Sequence, residues 1–145
     1  MPVSGTPAKP YPWLATPSRP GYGKFSPDGC WLACYSDELG RNEIYVAPFP
    51  GPGRSRQISV DGGYRPRWRA DGKEIFYIGL NGRMAGGGFC QSSSVEVGTI
   101  RQLNIPGLFD VSADGQRFLV AAPREQQSST ALTLVENWTA LLKRT

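Results

Sequence analysis

The sequence predicts an all-β fold, and two observations support this prediction. Glycine and proline, 18 and 13 of the 145 residues, take a larger share of the chain than usual and would interrupt helices. An Asp-Gly pair recurs at Asp28, Asp71 and Asp114, at equal intervals of 43 residues. Each pair is followed by a short apolar run, so many short strands joined by tight turns explain both observations.

Each copy of the repeat is centred on a predicted hairpin turn. The aspartate side chain of such a turn can accept hydrogen bonds from nearby backbone amides, and the glycine can adopt a positive φ without steric penalty. We therefore predict six structural turn residues: Asp28, Gly29, Asp71, Gly72, Asp114 and Gly115.

The apolar residues beside these turns are expected to pack between neighbouring sheets. They are Phe25, Trp31, Leu32, Trp68, Ile75, Phe76, Phe118 and Leu119. One period has room for four short strands, and its length matches a propeller blade of roughly 40–45 residues. The predicted fold is a partial β-propeller of about three four-stranded antiparallel blades. A β-sandwich with accidental spacing is the alternative.

The repeat also divides the chain. Residues 1–18 form a proline-rich N-terminal segment, residues 19–62 blade 1, residues 63–105 blade 2, and residues 106–145 blade 3 with a C-terminal closing strand. The third strand of blade 2 contains three consecutive glycines, at positions 86–88. Because glycine weakens strands, this strand is expected to be irregular, with a distorted or frayed edge.

Composition argues against several functions. The chain has no histidine, so it cannot form a Ser-His-Asp or Cys-His arrangement. Three cysteines suit neither a disulfide framework nor a zinc site, and one carboxylate per Asp-Gly turn is too few for calcium. We expect no catalytic residue, no metal and no cofactor. Without a membrane span or signal peptide in this chain, it is expected to be soluble, in an unknown compartment.

Positive charge is concentrated in residues 54–73, which hold six basic and two acidic residues in a chain of net charge +4. Alternation along a strand would place Arg65, Arg67 and Arg69 on one face and Trp68 on the other. These arginines are either a solvated stripe over a buried tryptophan or a binding patch for an acidic peptide or anionic ligand. Nucleic acid is not expected, because its binding surfaces carry denser basic patches.

The segment between Phe25 and Tyr77 contains the stretches FSPDG, GRNEIYV and DGKE. With them the chain resembles the WD40-like propeller repeats of the TolB type, over about residues 19–143. It is similar in particular to propellers at the C-terminal ends of bacterial serine/threonine kinases and winged-helix regulators. The resemblance implies a ring of about six or more blades, of which this chain supplies about three.

The function expected from this fold is non-catalytic binding of a protein or peptide through propeller loops, within a larger bacterial signalling or envelope protein. One alternative is a propeller segment of an enzyme, such as a peptidase or kinase, whose catalytic domain lies outside this chain. Another is a degenerate fragment without a function of its own. The missing blades would be supplied in cis or by a second copy of the chain.

Overall fold

The computed structural model describes Ser18 and residues 20–136, except positions 52, 92–94, 108–109 and 124–129. The described residues form eleven strands and no helix. The strands are β1 (Gly21–Phe25), β2 (Trp31–Ser36), β3 (Glu43–Pro48), β4 (Arg56–Gln57), β5 (Tyr64–Trp68), β6 (Glu74–Ile78), β7 (Arg83–Gln91), β8 (Val95–Pro106), β9 (Asp110–Val111), β10 (Arg117–Pro123) and β11 (Thr130–Glu136).

The strands form three antiparallel sheets, which we call blades 1, 2 and 3. Their strand orders are β1-β2-β3-β4, β5-β6-β7-β8 and β11-β10-β9. The prediction of an all-β partial propeller is confirmed, although the described part of blade 3 has three strands rather than four. Most of the proposed N-terminal segment, and the end of the proposed closing strand, lie outside the described residues. Nothing in the described ranges could cross a membrane as a helix.

The first hairpin of every blade has the same register. In each hairpin, the pair of strand residues nearest the turn lies 43 residues after the equivalent pair of the preceding blade, because all three Asp-Gly turns close loops of equal length. These pairs are Phe25 with Leu32, Trp68 with Ile75, and Val111 with Phe118. The turn therefore determines the register, and the repeat seen in the sequence is also a repeat in space.

Two apolar clusters hold neighbouring blades together. Between blades 1 and 2 lie Ala33, Ile44, Val46, Ile58, Trp68, Ile75, Tyr77, Ala85 and Phe89. Between blades 2 and 3 lie Phe76, Ile78, Met84, Leu103, Ile105, Phe118 and Val120. Successive residues of β6 thus serve opposite junctions, as expected for a strand buried on both faces.

The prediction that Phe25 packs between blades is wrong. This residue is 55% exposed, and its ring lies 4.8 Å from that of Phe49, which follows β3 of the same sheet. Trp68, at the same position of the next repeat, is 9% exposed. Phe25 faces away from blade 2, and no sheet of the described residues covers that side. Trp31, Leu32 and Leu119 are half-buried.

The irregularity expected at the glycine run is found on the β8 side of β7 but not on its β6 side. β7 continues through positions 86–88 and pairs with β6 in unbroken register, from Glu74 opposite Gly88 to Ile78 opposite Met84. On the β8 side the register shifts twice, between Arg83 and Ala85 and, within the glycine run, between Gly87 and Phe89. A Cβ at position 86 would lie 3.0 Å from the Phe76 ring, so glycine gives this ring its space.

Candidate ligand-binding surfaces beside the Asp-Gly turns

The three Asp-Gly turns share one geometry. Oδ1 of Asp28, Asp71 and Asp114 accepts a hydrogen bond from the backbone N–H two residues later, at 3.0 Å in each case. The glycines that follow have φ of 72°, 70° and 68°, which places all three in the left-handed region that glycine tolerates. The N–H of each glycine also donates to the carbonyl three residues earlier.

In the first and third turns these hydrogen bonds favour the ionised form of the carboxylate. The pKa of Asp28 and that of Asp114 are lowered, mainly because a serine hydroxyl two residues earlier donates to each carboxylate and secondly because of the backbone N–H. In the second turn the serine is replaced by Arg69, whose Nε lies 3.3 Å from Asp71 Oδ2. All three carboxylates are therefore bound by hydrogen-bond or ion-pair partners within their own turns.

An open groove of about 900 Å³ lies between the first and second turns. Its apolar surface comes from Pro27, Trp31, Phe89 and Val97. The two turns approach each other here, since a Cβ at Gly72 would lie 3.7 Å from Pro27 Cδ. The charged lining residues are Asp28, Asp71, Lys73 and Glu96. We refer to this space as the groove.

Two tryptophans flank Phe89 near the groove, and their indole N–H groups differ in hydrogen bonding. Both rings meet Phe89 edge-on, Trp31 at 5.3 Å and Trp68 at 5.1 Å between ring centroids. Trp68 Nε1 donates to the carbonyl of Lys24, 2.9 Å away in blade 1. Trp31 Nε1 is buried without an acceptor among the described residues. An unpaired buried donor costs roughly 1–3 kcal/mol, so a ligand that supplied an acceptor would be favoured.

The corresponding place between blades 2 and 3 is filled. Glu74 occupies the repeat position of Trp31 and is buried. Its Oε1 lies 3.0 Å from Arg101 Nη2, and its Oε2 lies 3.5 Å from Arg69 Nη1. The third turn packs on this arrangement, because a Cβ at Gly115 would lie 2.9 Å from Arg69 Cδ. Trp31 therefore lies beside an open groove at the blade 1–2 junction. At the blade 2–3 junction, the equivalent position is occupied by Glu74 and its two arginine partners.

A second surface surrounds the exposed ring of Tyr22. Arg67 Nη2 donates to the Tyr22 hydroxyl at 3.1 Å. Three cations lie over the ring: the distances to its centroid are 5.1 Å for Arg67 Cζ, 5.8 Å for Lys24 Nζ and 5.9 Å for Arg65 Cζ. These distances are within cation–π range. We call Tyr22, Lys24, Arg65 and Arg67 the basic cluster.

Two backbone bulges build this cluster. Tyr22 has φ of 56° and Arg65 has φ of 55°, and the register of their hairpins shifts at these positions. The two residues are one repeat apart, so the bulge belongs to the repeat. A left-handed residue other than glycine, asparagine or aspartate is uncommon. Here it brings the side chains of two neighbouring blades to one ring.

The predicted arginine patch is therefore divided. Arg65 and Arg67 belong to the basic cluster, whereas Arg69 is engaged by Asp71 and Glu74 beside the groove. Trp68 lies buried behind them. Sequence reasoning missed Tyr22 and Lys24, although extending the repeat backwards by one period from Arg65 and Arg67 leads to these two positions.

No protein-family model matches the chain, and no curated protein matches it. Among solved structures it is similar to the crystal structure of TolB from Acinetobacter baumannii, with a TM-score of 0.55 and 23% sequence identity. The match covers 79% of this chain and 29% of that TolB chain, so this chain spans less than a third of its length. The described residues form a partial β-propeller with a TolB-like fold.

Proposed function

We propose that this chain is a non-catalytic protein- or peptide-binding module, the C-terminal part of a larger bacterial signalling or envelope protein. The groove between blades 1 and 2 is the observation that supports binding. Its volume of about 900 Å³ lies within the range of roughly 300–1,000 Å³ that is usual for ligand sites. The larger parent protein is supported by the family resemblance and by the partial coverage of the TolB chain.

The groove offers what an extended peptide needs. Trp31, Phe89 and Val97 provide apolar surface for a side chain. The indole N–H of Trp31, which lacks an acceptor among the described residues, can donate to a peptide carbonyl once a small movement opens access to it. The fit to a peptide comes from this combination of apolar contact and one directed hydrogen bond.

Both aspartates that line the groove are already engaged by other groups of the chain. Asp28 is bound by a serine hydroxyl and a backbone amide, and Asp71 by Arg69. The chain contains no histidine that could act as a base near pH 7. The lowered pKa of Asp28 makes this carboxyl group a poor proton donor. Binding is therefore the proposed activity.

The test is selection of peptides on the immobilised full chain from a random peptide library, followed by calorimetry of the selected peptides. We expect Trp31→Phe, which keeps a ring but removes the N–H, to weaken binding by about tenfold, which corresponds to about 1.4 kcal/mol. Phe25→Leu is the matched control, since this exposed ring lies outside the groove, and should leave affinity unchanged. Failure to select any peptide, or equal losses in both variants, would contradict the proposal.

A further inference from the structure

We propose that the basic cluster of Tyr22, Lys24, Arg65 and Arg67 binds the carboxylate side chains of an acidic peptide segment. This site is separate from the groove, because none of its four residues lines that space. The inference rests on the proposed function only in taking the partner to be a polypeptide.

The cluster has more positive than negative charge. Among the described residues, Arg67 alone in the cluster has an acidic contact, and this contact is loose: its Nε lies 3.9 Å from Oδ1 of Asp110, whose carboxylate is mostly exposed. Among the described residues, Lys24 and Arg65 have no ion-pair partner. Three cations and one distant carboxylate leave a site that attracts anions.

The positive charges of the cluster affect the ionisation of the Tyr22 hydroxyl. Its pKa is lowered, first because Arg67 donates a hydrogen bond to the hydroxyl and then because of the positive charge of Arg67. The ring itself is 45% exposed, so it offers a face for the aliphatic part of a bound side chain. Arg67 already donates to the Pro66 carbonyl and to Tyr22, so the fork available to a glutamate or aspartate side chain beside this ring is that of Arg65.

The backbone of the cluster is strained at two places. Left-handed conformations such as those of Tyr22 and Arg65 are unfavourable for residues other than glycine and are often found at ligand-binding positions. Without these bulges, Tyr22 and Arg65 would not both reach the seam between β1 and β5. The cations are therefore held together before any ligand arrives.

The size of the positive surface favours an acidic peptide over nucleic acid. Next to the cluster, Asp110 faces Arg67, and Arg69 is neutralised by Asp71 and Glu74. The positive region thus has room for one or two carboxylates. A nucleic-acid site needs contacts to several successive phosphates along an extended path.

The test uses N-acetylated, amidated tetraglutamate as the probe and tetraglutamine as its neutral control. With ring-labelled tyrosine in the full chain, tetraglutamate should shift the Tyr22 signals in NMR spectra, and tetraglutamine should not. Lys24→Gln combined with Arg65→Asn should weaken binding by about tenfold or more. Asparagine tolerates the left-handed backbone at position 65, so this variant is expected to fold.

Arg56→Gln is the matched control. It removes one positive charge from the exposed β4, three strands away from β1 in the same sheet, and should change the affinity less than twofold. Equal losses in the variant and its control would overturn the proposal, as would tighter binding of a thymidine oligonucleotide than of tetraglutamate. Full competition by equimolar inorganic phosphate would also overturn it, because the site would then recognise small anions.

The experiment separates the two binding proposals. Trp31→Phe should leave tetraglutamate binding unchanged, and the Lys24→Gln, Arg65→Asn variant should leave the affinity of groove-selected peptides unchanged. If the parent chain binds tetraglutamate but no peptide binds its groove, only the function assigned to the groove is contradicted. A loss of tetraglutamate binding in Trp31→Phe would overturn the separation of the two sites.

Discussion

The two junctions between blades use the same repeat position in opposite ways. Between blades 1 and 2 this position is Trp31, whose ring lies beside an open groove and whose buried N–H has no acceptor in the part of the chain that the structure describes. Between blades 2 and 3 it is Glu74, a buried carboxylate held by Arg69 and Arg101. The backbone hairpins around both positions have the same register.

This difference shows where function can reside in a repeat protein. The shared residues, such as the Asp-Gly turns, set the spacing and register of the blades. The residues that differ between copies decide whether a junction is closed by its own side chains or left open for a ligand. At the blade 2–3 junction, the buried carboxylate of Glu74 forms ion pairs within the chain. At the blade 1–2 junction, the indole N–H of Trp31 has no acceptor among the described residues.

The largest expected effect on stability comes from Trp68, in the apolar cluster between blades 1 and 2. Trp68→Ala should lower the free energy of unfolding by about 3–5 kcal/mol, because a large buried ring and its hydrogen bond to Lys24 are both lost. Phe25→Ala, one repeat earlier, should cost less than about 1 kcal/mol, since this ring is mostly exposed. Urea unfolding of both variants measures the difference, and equal losses would refute the packing described for this junction.

The next effect concerns the closed junction. Glu74→Ala should lower the free energy of unfolding by about 2 kcal/mol, because Arg69 and Arg101 lose a buried partner but remain partly solvated. Asp110→Asn is the control, since its carboxylate is exposed and 3.9 Å from Arg67, and should cost under about 1 kcal/mol. Chemical denaturation measures the free energy of unfolding of both variants. If Glu74→Ala is as stable as the parent, Glu74 does not stabilise this junction.

The turn that adjoins both junctions is the third test. Gly72→Val should cost more than about 1 kcal/mol, because a β-branched residue resists φ of 70°. Gly72→Asn should cost clearly less, since asparagine tolerates the left-handed region. Melting temperatures of the two variants provide the comparison, and an unchanged value for Gly72→Val would mean that the turn does not have this conformation.

The smallest effect is a pH dependence in the interior of the blade 1–2 junction. Burial raises the pKa of Tyr77 to about 12 from its ordinary value of 10.0. Because the folded pKa exceeds the unfolded one, the folded state keeps this proton longer, and stability is lost as pH rises from about 10 to about 12. At pH 11 the loss is about 1 kcal/mol.

Tyr77→Phe removes this titration and should flatten the fall in stability between pH 10 and pH 12. Denaturation at several pH values measures the slope for the parent and the variant. Identical slopes would show that Tyr77 does not titrate in a dry junction.

Much of the fold could be predicted from the sequence, because the signals are local. Asp-Gly turns at equal spacing define both the blades and the register of their first hairpins. The regular pairing of the glycine run with β6 was not predicted because its cause is not local: position 86 is small to make room for Phe76 on the neighbouring strand. Phe25 was misjudged because burial depends on the neighbouring blade, which the local pattern does not show.

The candidate sites were harder to predict. The arginines at positions 65 and 67 were recognised as a patch, but their bulge could not be seen, since alternation along a strand assumes regular pairing. The groove was missed because Trp31 looks like an ordinary core residue. Its significance appears only when it is compared with Glu74, after the blades have been placed side by side.

The most direct test of the account is the indole N–H signal of Trp31 in ¹H–¹⁵N NMR spectra of the chain labelled at its four tryptophans. Trp31→Phe identifies the signal, and Trp68, already hydrogen-bonded to Lys24, serves as the internal reference. When a groove-selected peptide binds, the Trp31 proton signal should move downfield as it gains an acceptor, and that of Trp68 should stay in place. A bound peptide that leaves the Trp31 signal unmoved would contradict the central claim that this junction is a binding site.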